Sequence, residues 1–166
     1  ACDVSLRTHV LYWVERLNDG VPLAYLVNHE LFKGRCFYIN EGTLIPRSET
    51  ELLVDTISDY LTYSNYDTFS CLELGVGSGI ISLSLASIFP HGQFFGWELS
   101  PSAYVVALAN QMRFLVENVT FYQEDFFEGI KLSSNIDLLD SKLPVIFVSN
   151  PPYVANIKDL DTSVCQ

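Results

Sequence analysis

Positive charge is scarce in this chain. Nine lysines and arginines stand against twenty aspartates and glutamates, a net charge of −11 at neutral pH. A field of that sign repels phosphate backbones, so tight non-specific binding to nucleic acid is disfavoured; a basic partner and acidity that only aids solubility are equal readings. Long apolar runs are missing as well. The richest stretch, IISLSLASIF, is broken by serines, and nothing nears the ~18 residues of a membrane span. Cys2, Cys36, Cys71 and Cys165 form no CxxC pair, and His9, His29 and His91 lie apart. No metal site is expected from such spacing. No secretory signal or disulfide framework is read, so the expected setting is a reducing compartment, cytoplasm or an organellar matrix.

What is present is apolar. Hydrophobic residues make up 49% of the chain and charged ones 17%. That balance belongs to a folded globular protein, and 166 residues suffice for about one domain with a sizeable core.

Residues 4–17 place Val10, Leu11, Val14 and Leu17 along one helical face, and NDG then Pro22 ends the pattern. ELFKGRCFYIN holds two short apolar runs around Lys33–Gly34, which predicts a hairpin. TLIP reads as a short extended piece. Ser48 and Glu51 read as a capping box opening a helix to about Leu61. Strands and helices then alternate. SCLELG, QFFGWEL and VTFYQ are strands, with helices between them in SGIISLSLASIF and from Pro101 to about Val116, the second capped by Ser100. LPVIFVS reads as a fourth strand, buried on both faces. The alternation predicts a parallel sheet with helices on both sides, in strand order 3-2-1-4.

LELGVGSG lies between the first of these strands and its helix. Gly75, Gly77 and Gly79 allow a sharp turn and a close backbone approach to a ligand. About 20 residues on, at the end of the next strand, Glu98 can accept both ribose hydroxyls of a nucleoside. The spacing is G-x-G-x-G, not that of a dinucleotide site, and Glu73 puts an acid at the loop entrance. A pyrophosphate would be repelled there, whereas a sulfonium and an amino group would be attracted. These features favour S-adenosylmethionine. Asp125, just past the third strand, can accept from an adenine amino group or cap a turn, and Phe126 can pack on the ring.

Ligands bind beyond the carboxyl ends of strands in such sheets. The fourth strand is followed there by Asn150, Pro151, Pro152 and Tyr153. Asn150 offers a side-chain carbonyl. Pro151 offers a backbone carbonyl, kept out of helical geometry by Pro152. Tyr153 offers a flat face. Two acceptors and a face can hold a planar amide or amino group for in-line methyl transfer, in which positioning supplies most of the acceleration.

LELGVGSG, Glu98 and NPPY together resemble class I S-adenosylmethionine-dependent methyltransferases that act on planar nitrogens. More narrowly, PLAYLVNHELFKGRCFYINEGTLIPRSETELLVD resembles the region before the glycine loop in protein-glutamine N5-methyltransferases of peptide chain release factors, the HemK/PrmC type. The resemblance implies a Rossmann-like catalytic domain that methylates the glutamine of a Gly-Gly-Gln loop. It implies that Asn150 and Pro151 bind the amide, with Tyr153 packed on it. Gly75, Gly77, Gly79 and Glu98 would hold the cofactor, and Pro46, Arg47, Glu49 and Thr50 would lie near the active site. For Arg47 a helix-entry salt bridge is an equal reading. Ser48, Val76 and Glu98 depart from the family's usual residues without removing a needed group.

Against that family, residues 1–28 are expected to be the remnant of a helical substrate-docking domain and 29–47 a hairpin linker. Residues 48–166 are expected to be the catalytic domain, cut before its last strands, so that the chain reads as a fragment. Two other functions stay open: adenine-N6 methylation of DNA or RNA, opposed by the acidic charge, and non-catalytic binding of the cofactor.

Overall fold

The computed structural model describes residues 4–128 and 143–151. Its first helix, α1, spans Val4–Asn18, and the turn after it passes through Gly20, whose φ of 85° only a glycine adopts readily. The predicted apolar face of α1 is exposed at Val10, Leu11, Val14 and Leu17. A second helix, α2 (Leu23–Val27), was not expected; it starts after Pro22 and stops at left-handed Asn28.

The hairpin forms as expected. Strands β1 (His29–Phe32) and β2 (Arg35–Tyr38) pair with Phe32 opposite Arg35. Lys33 and Gly34 both have positive φ, as a type I′ turn demands. The hairpin is bound into the domain through buried Phe32 and Phe37. Phe37 meets Phe114 edge-on at 4.7 Å, and the Arg35 guanidinium lies 4.1 Å over the Phe114 ring.

Helix α3 spans Ser48–Tyr63, two residues longer at its C-terminal end than expected. The predicted capping box is not formed. Arg47 occupies the N-cap position, where its side chain makes no cap bond, and Ser48 already lies inside the helix, donating to Glu49 Oε2 at 3.1 Å. Glu51 Oε1 instead accepts the Lys33 N–H at 2.8 Å. The tertiary partner at the hairpin tip has replaced the local one.

The main sheet is parallel, with strands β3 (Ser70–Leu74), β4 (Gln93–Trp97), β5 (Val119–Tyr122) and β6 (Val145–Ser149). Their order is β5-β4-β3-β6, the predicted 3-2-1-4. Helix α4 (Ile80–Ile88) connects β3 to β4, and α5 (Pro101–Phe114) connects β4 to β5. Ser100 caps α5 by accepting from Ala103 N at 3.4 Å, with Pro101 as first helical residue.

One expectation about sheet cover is corrected, that β6 is buried on both faces. Among the described residues, α3, α4 and α5 all pack on one face. There Val54, Leu83 and Ala107 share a core with Cys71, Phe94, Phe121 and Val148. Successive right-handed crossovers running in one direction leave their helices on the same side. The opposite face carries Leu72, Trp97, Phe95, Tyr122 and Val145, and Phe126, in the helical residues 126–128, packs on it as expected of a sheet covered on both sides. Strand β6 is therefore not buried on both faces: Val148 is 5% exposed, whereas Phe147 on the other face is 57% exposed. No helix of the described residues is long and apolar enough to cross a membrane.

Candidate active site

Register sets the site. Leu74 of β3 lies level with Trp97 of β4 and Ser149 of β6, and Trp97 with Tyr122 of β5. The residues that follow each strand therefore emerge at one edge of the sheet. These are the glycine loop, Glu98, the segment holding Asp125, and Asn150.

The loop is pinned from behind. Gly75 N and Val76 N both donate to Trp97 O, at 2.9 and 3.2 Å, and Gly79 N closes the turn on Val76 O at 2.9 Å. Gly75 and Gly77 have φ of 73° and 56°, and a Cβ on either would meet nothing within 4 Å. Their outer sides thus face open space, as a cradle for a ligand requires. Gly79 differs from the expectation. A Cβ there would come within 3.0 Å of Leu83 Cδ1 and 3.2 Å of Phe121 Cζ, so Gly79 faces the core.

Glu98 follows β4 and is held at both oxygens. Gly77 N donates to Oε2 and Ser100 N to Oε1, each at 2.8 Å. A carboxylate has about four acceptor sites, so this clamp aims the group and leaves acceptor capacity. A carboxylate fixed beside an open glycine cradle suits the ribose of a nucleoside cofactor.

Glu73 sits differently from an open carboxylate at the loop entrance. It is 1% exposed, and its Oε2 accepts Ser82 N at 3.0 Å as well as the Ser82 hydroxyl. Ser82 is the third residue of α4, so Glu73 satisfies one of the unpaired N–H groups at that helix start. Burial pushes its carboxyl up to about 7, against the pull of the Ser82 bonds. It titrates near neutrality and is a weaker attractor of cations than an exposed acid.

Asp125 caps the helical start at residues 126–128: its Oδ1 accepts Phe127 N at 2.8 Å and Glu128 N at 3.2 Å. Phe126 meets the Trp97 ring edge-on at 5.1 Å, and Trp97 stacks on Tyr122 at 5.1 Å.

A cavity of about 50 Å³ opens between the glycine loop and the start of α3. Its lining brings together Glu73, Gly75, Gly77, Pro46, Thr50 and Asn150. Glu98, Asp125, Phe126 and Arg47 lie outside it. Asn150 is fixed from two sides. Its backbone follows β6, where Ser149 Oγ donates to Leu74 O at 2.8 Å, and its Nδ2 donates to Thr50 Oγ1 at 3.1 Å. Pro151 is exposed. Pro152 and Tyr153 lie outside the described residues. Arg47 is exposed, and among the described residues it makes no ion pair, so the helix-entry salt bridge is not formed.

Sequence reasoning passed over two supports of the site, Ser82 and Asn110. A serine within an apolar helix pattern reads as interruption, and Asn110 reads as an ordinary polar position. Neither signals its partner: for Ser82 the acid Glu73 nine residues back, and for Asn110 the backbone of Tyr38 in the hairpin and of Ser78 in the glycine loop.

Several curated relatives are similar to this chain. A release factor glutamine methyltransferase of Flavobacterium psychrophilum is 35% identical over 144 residues, covering 86% of this chain and 47% of that protein. One of Bacillus subtilis is 35% identical over 153 residues, covering 90% of this chain and 50% of its own length. The chain thus spans about half the length of the curated relatives it matches. A solved structure described as the delta-N METTL16 MTase domain is 17% identical, with a TM-score of 0.53, covering 73% of this chain and 55% of that one, a likeness of fold. The family model described as a methyltransferase domain matches residues 67–162. That match takes in the whole parallel sheet, from before β3 to beyond β6, and the chain belongs to the methyltransferase domain family.

Proposed function

We propose that this chain is the cofactor-binding part of an S-adenosylmethionine-dependent enzyme. It methylates the side-chain amide nitrogen of the glutamine in the Gly-Gly-Gln loop of a peptide chain release factor. The observation that carries the reading is Asn150, held by Thr50 at the edge of the same cavity as the glycine loop. The names of the relatives supply the substrate, and their bacterial sources fit a cytoplasmic setting.

When bound, S-adenosylmethionine supplies a methyl group on a sulfonium. Gly75 and Gly77 let the backbone approach the ligand, and Glu98 accepts from its ribose hydroxyls. Asp125 and Phe126 serve the adenine, while Gly79 supports the loop from the core side. Glu73 answers the ligand's positive end, and a cation beside it favours its ionised form. Asn150 and the Pro151 carbonyl accept the two N–H bonds of the glutamine amide, with Pro152 stiffening the turn and Tyr153 covering the amide plane. These acceptors bind more tightly as the nitrogen gains positive charge, which is the differential that speeds transfer. As the N–C bond forms the C–S bond breaks to leave the neutral thioether, and the nitrogen gives up one N–H proton to solvent. Arg47 meets the substrate at the mouth of the site. Residues 1–28 act as part of a substrate-docking helical domain, 29–47 as the linking hairpin and 48–166 as the catalytic unit.

The test uses the protein at its full natural length. Calorimetry with S-adenosylmethionine should show binding that survives Asn150→Ala, while transfer of labelled methyl to a release factor is lost in that variant. Equal loss of cofactor binding would assign Asn150 to structure alone, and label on nucleic acid would replace the substrate.

A further inference from the structure

The carboxamide of Asn150 carries a donor and an acceptor on two branches of one flat group. A half-turn about its last bond exchanges them. An amide NH2 substrate is recognised only when the oxygen faces it, so something must set the orientation. In the structure Asn150 Nδ2 donates to Thr50 Oγ1 at 3.1 Å, across 100 residues of chain.

Thr50 is well placed for this. It is 5% exposed and is the third residue of α3. Its backbone N–H donates to Arg47 O at 3.0 Å. The helix beneath it is held by Val54 and Leu61, both fully buried, and by the Glu51 carboxylate on the hairpin tip. Thr50 and Asn150 line the same cavity. The hydroxyl oxygen is thus a fixed point; because a hydroxyl can donate as well as accept, it acts by anchoring the amide in the orientation the structure shows, not by rejecting the other. No packing reason requires a hydroxyl there, since valine has the same shape.

We infer that Thr50 is a positioning residue for methyl transfer. Its hydroxyl anchors Asn150 through the nitrogen branch, as in the structure, which leaves the oxygen branch for the substrate amide. The inference rests on the proposed glutamine reading. It also gives the segment before the glycine loop a chemical role, because the start of α3 sets the orientation of the acceptor that follows β6.

The full-length protein separates the possibilities in two variants. Thr50→Val keeps the shape and removes the hydroxyl. Thr50→Ser keeps the hydroxyl. With a release factor as substrate, kcat/KM of Thr50→Val should fall about 10- to 100-fold, carried mainly by kcat, because misorientation costs the transition state more than the ground state. Calorimetric affinity for S-adenosylmethionine and the melting temperature should stay near wild type. Thr50→Ser should restore most of the rate. Full activity in Thr50→Val overturns the inference alone. Equal loss in both variants, together with weakened cofactor binding, assigns Thr50 a structural role and also overturns it. A wild-type protein that methylates no glutamine overturns the reading beneath it.

Discussion

Asn110 and Tyr38 exchange two hydrogen bonds, each 2.8 Å long: Tyr38 N donates to Asn110 Oδ1, and Asn110 Nδ2 donates to Tyr38 O. One side chain thereby does for the edge of β2 what a neighbouring strand would do. The same Nδ2 also donates to Ser78 O at 2.8 Å, which ties the hairpin to the glycine loop. Asn110 is fully buried, so each of these groups would otherwise lack water. Asn110→Ala should cost about 2–4 kcal/mol, the penalty for several buried groups left unpaired. Urea denaturation with an unchanged slope checks this. Asn110→Asp should be worse, since it loses both donors and buries a charge. A loss under half a kcal/mol (about that of a plain surface change) would mean the rivet is idle.

Gly96 lies in β4 directly beneath the loop. A Cβ there would come within 2.5 Å of Val76 Cγ2 and 2.8 Å of Phe121 Cδ1. Both neighbours are buried, so neither can move aside cheaply. Gly96→Ala should destabilise by about 1–3 kcal/mol. Because Val76 sits between Gly75 and Gly77, cofactor affinity should fall with it. Stability and calorimetric affinity measured on the same variant test whether the two effects travel together.

Glu98 accepts two backbone N–H groups, one of them from the loop it faces. Glu98→Gln places an NH2 against one of those donors and removes the charge. Affinity for S-adenosylmethionine should drop about 10- to 100-fold, the cost of a charged hydrogen bond. Calorimetry reads it directly. Unchanged affinity would take Glu98 out of the cofactor site.

The positions of the strands, the hairpin turn and Glu98 were legible because each depends on near neighbours in sequence. Buried parallel strands read as apolar runs, and Lys33–Gly34 accepts the positive φ values of a two-residue turn. The acid falls at the strand end because register places it there. What was not legible depends on partners brought close by folding. Glu51 sits where a capping box needs it, yet it bonds the hairpin tip. Glu73 reads as a loop acid, yet it caps α4 from within the sheet. LAYLV has no period long enough to announce α2. The contact between Thr50 and Asn150 joins two segments with nothing in common in sequence. Exposure of Phe147 follows from which face the helices take, a matter of crossover handedness.

The Glu73 carboxyl is raised from 4.5 to about 7, first because it is desolvated. A raised acid favours the folded state in its protonated form. Its contribution is complete below the ordinary 4.5 and is lost as pH climbs through about 7. The full span corresponds to roughly 3 kcal/mol. Glu73→Gln keeps an acceptor for Ser82 and cannot ionise. Melting temperatures between about pH 5 and pH 8 should therefore fall more steeply for wild type than for Glu73→Gln. Parallel curves would mean that the acid does not titrate in this window.

The central claim is that the cavity between Asn150 and the glycine loop serves methylation of a glutamine amide. Mass spectrometry of a release factor, after incubation with the full-length protein and S-adenosylmethionine, tests it most directly. The predicted result is a gain of one methyl group, mapped by fragmentation to the glutamine of the Gly-Gly-Gln loop and absent with Asn150→Ala. An unmodified release factor, or a methyl group mapped to any other residue, would contradict the claim.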